Sequence, residues 1–535
     1  MIKFVFNTQA LKFYHSNKNL INCCFFCIIS LGYYYNVIDI NFASDDFDSL
    51  YKHQTIGFDI FKKQLKDSFF LPVTYLFQYF EISLFGNYPI CYHFTHILLH
   101  GVNAYLFYKV LHQLVQTIGD SFSRVPIYTS LFFLAYPYQT EAVVWIACSA
   151  YLLATFFGLL SIYYYVSFVQ QSRIRDLYFS YLFLFIGLLC KEILIILPVI
   201  LLMHQVFFEK DLKTKLLITI KTCVVIFLYC LVRYITLGTL IGHYGASVHL
   251  NYNPFLLLKN TVAYLSKFFL GYRYLPEFVR ASFRIIYHSP LSIFIVVLIV
   301  TGGIAYLYFR NSNIKPIKII SFIFICFLIS LIPVINLETS FLGDLQSDRY
   351  GYFPSLFFCV LLSVLINSLF NNIFKQIVFT MLLGLFSYHT IQTNQIWQTS
   401  SDISDSLINC FKDSIEYKNP ICIVNMPDNY KGAYIFRNSF QEALRIIYPN
   451  RKFNRINVLS WQNIHHGDGN LITYHFSNDS LIFAHADQKN YFMRVNQDND
   501  LPILQANQTK IVLKKTDIKY PLYVFNNKQL KKLEW

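Results

Sequence analysis

The chain has 535 residues, of which 55% are hydrophobic, 19% aromatic and only 14% charged, with a formal net charge of +14. Soluble cores cannot bury that much apolar surface, so a wholly soluble enzyme is excluded and an integral membrane protein is expected. The excess Lys and Arg lie mostly in short loops between apolar runs, a signature of topology and anionic lipid rather than of nucleic acid.

The first apolar run, LINCCFFCIISLGYYYNVI (20–38), approaches the length of about 20 residues that a spanning helix needs and has no small-residue cleavage site after it. Beyond it comes NFASDDFDSL (41–50), where Asp45 and Asp46 adjoin and Asp48 follows. In GFDIFKKQLKDSFF, Phe58, Phe61, Leu65 and Phe69 recur at helical spacing, which predicts a helix lying along the membrane surface. LPVTYLFQYFEISLFG opens with Pro72 at a first helical position and closes at Gly86. Further spans are expected near 91–113, 125–141, 144–167, 176–190, 193–208, 214–237, 291–309, 317–336, 350–370 and 374–392, about eleven in all. Residues 254–280 are expected to re-enter or lie on the surface. A single crossing there would invert everything downstream.

After residue 392 the composition turns mixed and polar. ICIVNMP (421–427) predicts a buried strand and YKGAYIFRNSFQEALRIIY a following helix; LITYHF, SLIFAHA, YFMRV and IVLKK predict further strands. With the N-terminus in the cytosol, the basic residues flanking the spans fall inside, and Asp45, Asp46 and residues 393–535 share the outer face. Most of the twelve cysteines lie within apolar runs, as packing residues; Cys410 and Cys422 permit a disulfide without demanding one.

Several polar groups stand out against this background. Asp45 and Asp46 read as a solvated pair unless other groups converge on them. His93, His96, His100 and Asn103 share one stripe of a predicted span, which suggests a polar cavity. Glu141 stands at the outer end of the third span. Lys191 and Glu192 interrupt LLCKEILIILP, where they either neutralise each other at a tight turn or hold an anionic group. In GDLQSDRYGYFPS, Asp344, Asp348 and Arg349 are placed on the outer side; Arg349 suits a phosphate by its forked donors, or snorkels at the interface. No paired Cys/His spacing for a metal appears.

Taken in order, SDDFDSL, NYPICYHFTHILLHGVNAYL, YPYQTEAVVWIA, LLCKEILIILP and SDRYGYFPS give residues 20–390 a resemblance to the GT-C superfamily of polytopic glycosyltransferases. The branch resembled is that of the protein O-mannosyltransferases and the transmembrane-and-tetratricopeptide mannosyltransferases, without the tetratricopeptide repeats. VNMPDNYKGAYIFRNSF looks like the start of a terminal domain carried by some bacterial relatives. The resemblance implies an all-α GT-C-like membrane domain over 1–392 with a small soluble α/β or α+β domain over 393–535. It implies transfer of a sugar from a polyprenyl-phosphate donor to a protein, glycan or lipid acceptor on the outer face of a bacterial inner membrane, or of the endoplasmic reticulum in a eukaryote. Asp45, or in second place Asp46, would be the general base; Arg349 and Lys191 would neutralise the leaving phosphate; His93, Glu141 and Glu192 would lie near the pocket. Metal dependence, sugar and acceptor stay open.

Family positions commonly Trp, Arg, His, His, Arg and Asp are here Ser44, Leu71, Tyr136, Gln139, Ser149 and Tyr151. These departures keep two other functions in view: a transporter using the His stripe and Lys191/Glu192, and an inactive membrane-anchored binding or assembly protein.

Overall fold

The computed structural model describes residues 8–59, 69–118, 122–208, 212–240, 253–288, 314–336, 345–413, 420–467, 471–477, 479–487, 489–496 and 503–534. The expected span at 291–309, Asp344 and most of the expected surface helix (60–68) lie outside them.

The N-terminal three quarters are helical: α1 (Thr8–Tyr34), α2 (Asp45–Ile56), α3 (Pro72–Phe85), α4 (Pro89–Ile118), α5 (Val125–Ala135), α6 (Thr140–Val144), α7 (Ser149–Gln171), α8 (Ile174–Cys190), α9 (Leu197–Phe208), α10 (Leu212–Leu237), α11 (Pro254–Leu265), α12 (Glu277–His288), α13 (Ile314–Leu331), α14 (Pro354–Leu369) and α15 (Asn372–Asp413). Among the described residues, three helical stretches are long and apolar enough to cross a membrane, Asn17–Val37, Ile146–Gln171 and Ile218–Leu237, and four shorter apolar helices accompany them. Of the other expected spans, one (291–309) lies outside the described residues, and those near 125–141 and 193–208 are short or broken helices.

The split with the largest consequence falls in the expected span 125–141. Helix α5 stops at Ala135, since Tyr136 precedes Pro137 and takes an extended backbone (φ −74°, ψ 119°). Short turns then carry the chain through Pro137–Gln139, α6 and Ile146–Cys148 before α7 begins. Glu141 therefore sits in a buried, broken segment and not at the end of a continuous span. The segment 254–280 is broken too: α11 gives way to a wide turn over Ser266–Leu270 and to Gly271 at φ +57°, so it forms no single helix. Pro72 begins α3 and Gly86 ends it, as their chemistry predicts.

Helices α1 and α4 cross closely at Gly101, where an added Cβ would meet the Cys27 Cα at 2.7 Å. Ser30 Oγ donates to the Ile97 carbonyl at 2.7 Å across the same contact.

Helix α15 continues past residue 392 to Asp413 and packs beneath the C-terminal strands, so it belongs to both halves. β1 (Ile421–Tyr430), the predicted buried strand, runs parallel to β3 (Ile456–Ile464) and β9 (Leu522–Asn526); with β6 (Tyr491–Val495) and β10 (Gln529–Lys532) they form a sheet ordered β10-β9-β1-β3-β6, with β2 (Ala433–Tyr434) folded back on β1. β4 (Ile472–Ser477), β5 (Ser480–His485), β7 (Ile503–Ala506) and β8 (Lys510–Lys514) form a four-stranded antiparallel sheet, ordered β4-β5-β8-β7, that covers one face: Cys422 and Val424 point toward it, while Ile421 and Ile423 point toward α15. The helix expected over 430–448 is reduced to α16 (Phe440–Ile447). Lys431 and Gly432 both have positive φ and make a two-residue hairpin turn, which commits 433–434 to a strand. Cys410 and Cys422 are free thiols.

The C-terminal domain shares a core with the helical bundle. Phe42, Phe47, Leu50, Tyr92 and Ile146 from the bundle end pack with Ile403, Leu407 and Phe411 of α15 and with Ile435, Phe436 and Phe440. The acidic loop and residues 420–534 thus meet at the same end of the bundle.

Candidate active site

The chain leaving α1 is held down before it reaches the carboxylates. His93 Nε2 lies 3.1 Å from the Ile40 carbonyl, and Asn41 donates to Asp405 Oδ1 of α15 at 2.7 Å. Ser44 then takes φ 48°, ψ −112°, a strained backbone for a residue with a Cβ, and α2 starts at Asp45. Asp45, Asp46 and Asp48 occupy its first turn, where the helix end favours negative charge.

The three carboxylates have different fates. Asp46 is buried, and its oxygens accept from the backbone N–H groups of Ala147 (2.8 Å) and Ala43 (3.0 Å), tying the loop to the broken segment after α6. Burial pushes its carboxyl up to about 8, against those two N–H groups, which favour the charged form. Asp48 pairs with Lys52 one turn on, at 2.5 Å. Asp45 is half-buried; its Oδ1 accepts from Asn438 Nδ2 at 2.6 Å, and among the described residues its Oδ2 has no hydrogen-bond partner. Burial raises the Asp45 pKa above the usual aspartate value, while the Asn438 hydrogen bond pulls it down; Asp48 raises it, and Arg349 and Arg437 lower it.

Arg349 is held by Glu141, which is fully buried and accepts from the Arg349 backbone N–H at 2.7 Å and from its guanidinium. The guanidinium carbon also lies 5.2 Å from the Trp145 ring centroid and 4.7 Å from that of Tyr350. From there a ladder of rings and cations runs both ways. Tyr350 neighbours Tyr151, whose ring faces Lys191 at 5.5 Å; Trp145 neighbours Tyr434, whose ring faces Arg437 at 4.5 Å. Lys191 ends α8 in extended backbone and pairs with Glu192 at 3.4 Å, the mutual neutralisation at a turn that the sequence allowed. Asp348 points away from Arg349 and is buried between Lys267 (3.1 Å) and Arg273.

Asp45, Asp46, Glu141 and Arg349 therefore meet at the junction, and Lys191 with Glu192 joins them through Tyr151 and Tyr350. His93 stands behind the loop it anchors. Along the histidine stripe, His96 Nε2 is 3.5 Å from Glu81, and His100 Nδ1 is 2.7 Å from the Tyr352 hydroxyl, which Asn103 also reaches. Gln139 bonds Ser355 and Tyr136 stacks on Phe268, so both of these residues serve packing.

Sequence reasoning missed Tyr434, Arg437 and Asn438, which come from the C-terminal domain. They lie in GAYIFRNSF, the stretch singled out only as a domain start. It also missed Glu81, buried beside a small cavity lined by Asp46, Gln78 and Tyr92, for which a lone carboxylate in the apolar run YFEISLF was the signal. No group of three His, Cys, Asp or Glu side chains suited to a metal occurs among the described residues.

No protein-family model and no curated protein matches the chain. Among solved structures, ArnT from Cupriavidus metallidurans bound to undecaprenyl phosphate aligns over 93% of this chain and 98% of its own, at 11% identity and a TM-score of 0.33. A likeness that loose carries no assignment of fold or activity.

Proposed function

We propose that the chain is an integral-membrane glycosyltransferase that moves a sugar from a polyprenyl-phosphate donor to an acceptor hydroxyl of a protein, glycan or lipid. The observation that carries the reading is the open Oδ2 of Asp45 at a junction where two arginines act on it, while its neighbours Asp46 and Asp48 are spent on backbone and lysine partners. The ordered motifs of residues 20–390 supply the reaction class.

In this mechanism Asp45 takes the proton of the acceptor hydroxyl as that oxygen attacks the anomeric carbon. The bond from that carbon to the phosphate oxygen breaks, the lipid phosphate departs, and configuration inverts. A carboxylate whose pKa is raised is the stronger base, provided it stays ionised at working pH. Arg349 and, along the ladder, Lys191 face the growing charge on the phosphate. Each already has a carboxylate partner, so each neutralises the phosphate partly and releases it readily. Asp46 holds the loop rather than reacting, since both of its oxygens are engaged by the backbone N–H groups of Ala147 and Ala43. His93 holds the same loop from behind, and Glu141 and Glu192 set the positions of the two cations. In the cell the site would face the outer side of a bacterial inner membrane, with the C-terminal domain there too.

The test is transfer from a panel of radiolabelled polyprenyl-phosphate sugars in membranes carrying the protein. Label moving to protein, glycan or lipid supports the reading. Label that only crosses the bilayer, chemically unchanged, would make the chain a transporter.

A further inference from the structure

Asn438 is 393 residues from Asp45 in sequence and in hydrogen-bond contact with it in space. Both ends of its amide are used: Nδ2 donates to Asp45 Oδ1 at 2.6 Å, and Oδ1 accepts from Ser44 Oγ at 2.8 Å. The opposite amide orientation would set its oxygen against a carboxylate, so the partners fix which end is which. A third hydrogen bond runs from the Ser44 N–H to the Ile435 carbonyl at 3.0 Å, and Phe436 stacks on Phe47 with ring centroids 6.0 Å apart. The short stretch 435–438 thus grips the chain where its backbone is strained and where α2 begins.

We propose that Asn438 is a positioning residue for Asp45, making the C-terminal domain a working part of the catalytic centre and not an appendage. The inference rests on Asp45 being the base. A neutral amide is suited to this position because it orients the carboxylate by one oxygen, leaves the other open, and neither adds a charge nor consumes a proton. A lysine in its place would hold the carboxylate as a poor base, and a carboxylate would repel it. The charged groups around Asp45 are Asp46 and Asp48 on α2, Arg437 on the same stretch as Asn438, and Arg349 with its partner Glu141 on the facing turns.

The purified full-length protein is compared with Asn438→Leu and Asn438→Asp. Losing the donor removes a hydrogen bond that favours ionised Asp45. The acid limb of kcat/KM for sugar transfer should therefore move up by about half to one pH unit in N438L, and further in N438D, where a like charge faces Asp45. The kcat should drop about tenfold with donor KM unchanged. A merely structural staple would lower the folded yield and leave the limb where it was, which would overturn the proposal. A second readout needs no activity: labelling of Asp45 by a water-soluble carbodiimide with glycine ethyl ester, followed by mass spectrometry across pH. The carbodiimide reacts with the protonated acid, so labelling should persist to higher pH in N438L than in the wild type. A shift without transfer of any sugar would sink the glycosyltransferase reading and keep the positioning role. The same midpoint in both proteins would refute that role, whatever the activity.

Discussion

Replacing Asp45 by Asn tests the mechanism at its narrowest point. The substitution preserves size, and its side-chain oxygen can still accept from Asn438, so the grip of residues 435–438 on the loop persists. What disappears is the proton acceptor. General-base catalysis is worth about 10²- to 10⁴-fold, or about 3–5 kcal/mol of barrier, and kcat should fall by that factor. Donor binding should change little, because in the proposed mechanism the base acts on the acceptor and the donor phosphate meets Arg349. Asp46→Asn is the contrasting case. Above about pH 8, where burial still allows wild-type Asp46 to be ionised, D46N turns one of its two accepting oxygens into an amide nitrogen that cannot accept, so either the Ala147 or the Ala43 N–H is orphaned, at about 1–3 kcal/mol of stability. D46N should thus lose folded protein and melt earlier, with the rate per folded molecule far less affected than in D45N. The assay is single-donor transfer normalised to folded protein by size-exclusion profile, together with a melting curve. Full turnover by D45N at normal folded levels would refute the base assignment, and a D46N protein as stable as the wild type would refute the structural role of its neighbour.

Wild-type transfer should lose its acid limb at a pH above the usual aspartate range: burial raises the pKa of Asp45, and activity fails as pH drops through that value because the base becomes protonated; a limb at or below the ordinary aspartate pKa would contradict the burial seen here. Arg349→Ala leaves the fully buried Glu141 without its cation, at about 3–5 kcal/mol, so it should unfold more readily than Arg349→Ala combined with Glu141→Gln. If Arg349 meets the donor phosphate, that double variant regains stability yet still binds polyprenyl phosphate weakly, and wild-type binding by it would remove Arg349 from the donor site. Gly101→Ala presses a methyl group to within 2.7 Å of the Cys27 Cα, so α1 and α4 must separate and the melting temperature fall; an unchanged melting curve would show that the crossing is looser than its geometry implies.

Much of the fold was legible because it is locally encoded. Pro72 and Gly86 punctuate α3, and the run ICIVNM, apolar but for Asn425, makes β1, which is buried on both faces. The breaks were harder. The polar residues Gln139, Thr140 and Glu141 read as the gap between two spans, and only Pro137 hints that the chain turns there to bring Glu141 inward. The helix expected over 430–448 failed for a related reason: its apolar spacing is helical, but positive φ at Lys431 and Gly432 builds a hairpin first.

The same distinction explains what the sequence could say about the site. Charges that interrupt apolar runs announce themselves, because hydrocarbon gives them no other reason to be present, and Lys191 and Glu192 were found that way, whereas Asp45, Glu141 and Arg349 lie in a loop or at span ends and drew notice through the ordered motifs. Asn438 sits in an ordinary polar stretch, where an amide costs nothing and signals nothing. Its importance comes from a contact spanning 393 residues, which no local pattern encodes. The C-terminal, strand-rich domain therefore hides its contribution for a physical reason: exposed residues are free to be polar, so a functional one looks like any other. Within the bundle, by contrast, polarity is itself the evidence. The signal also has limits there, since His93, His96 and His100 share a stripe and yet each serves a different partner, Ile40, Glu81 and Tyr352. A polar side chain in an apolar helix says that a partner exists. Only the fold says whether that partner is a substrate or another part of the chain.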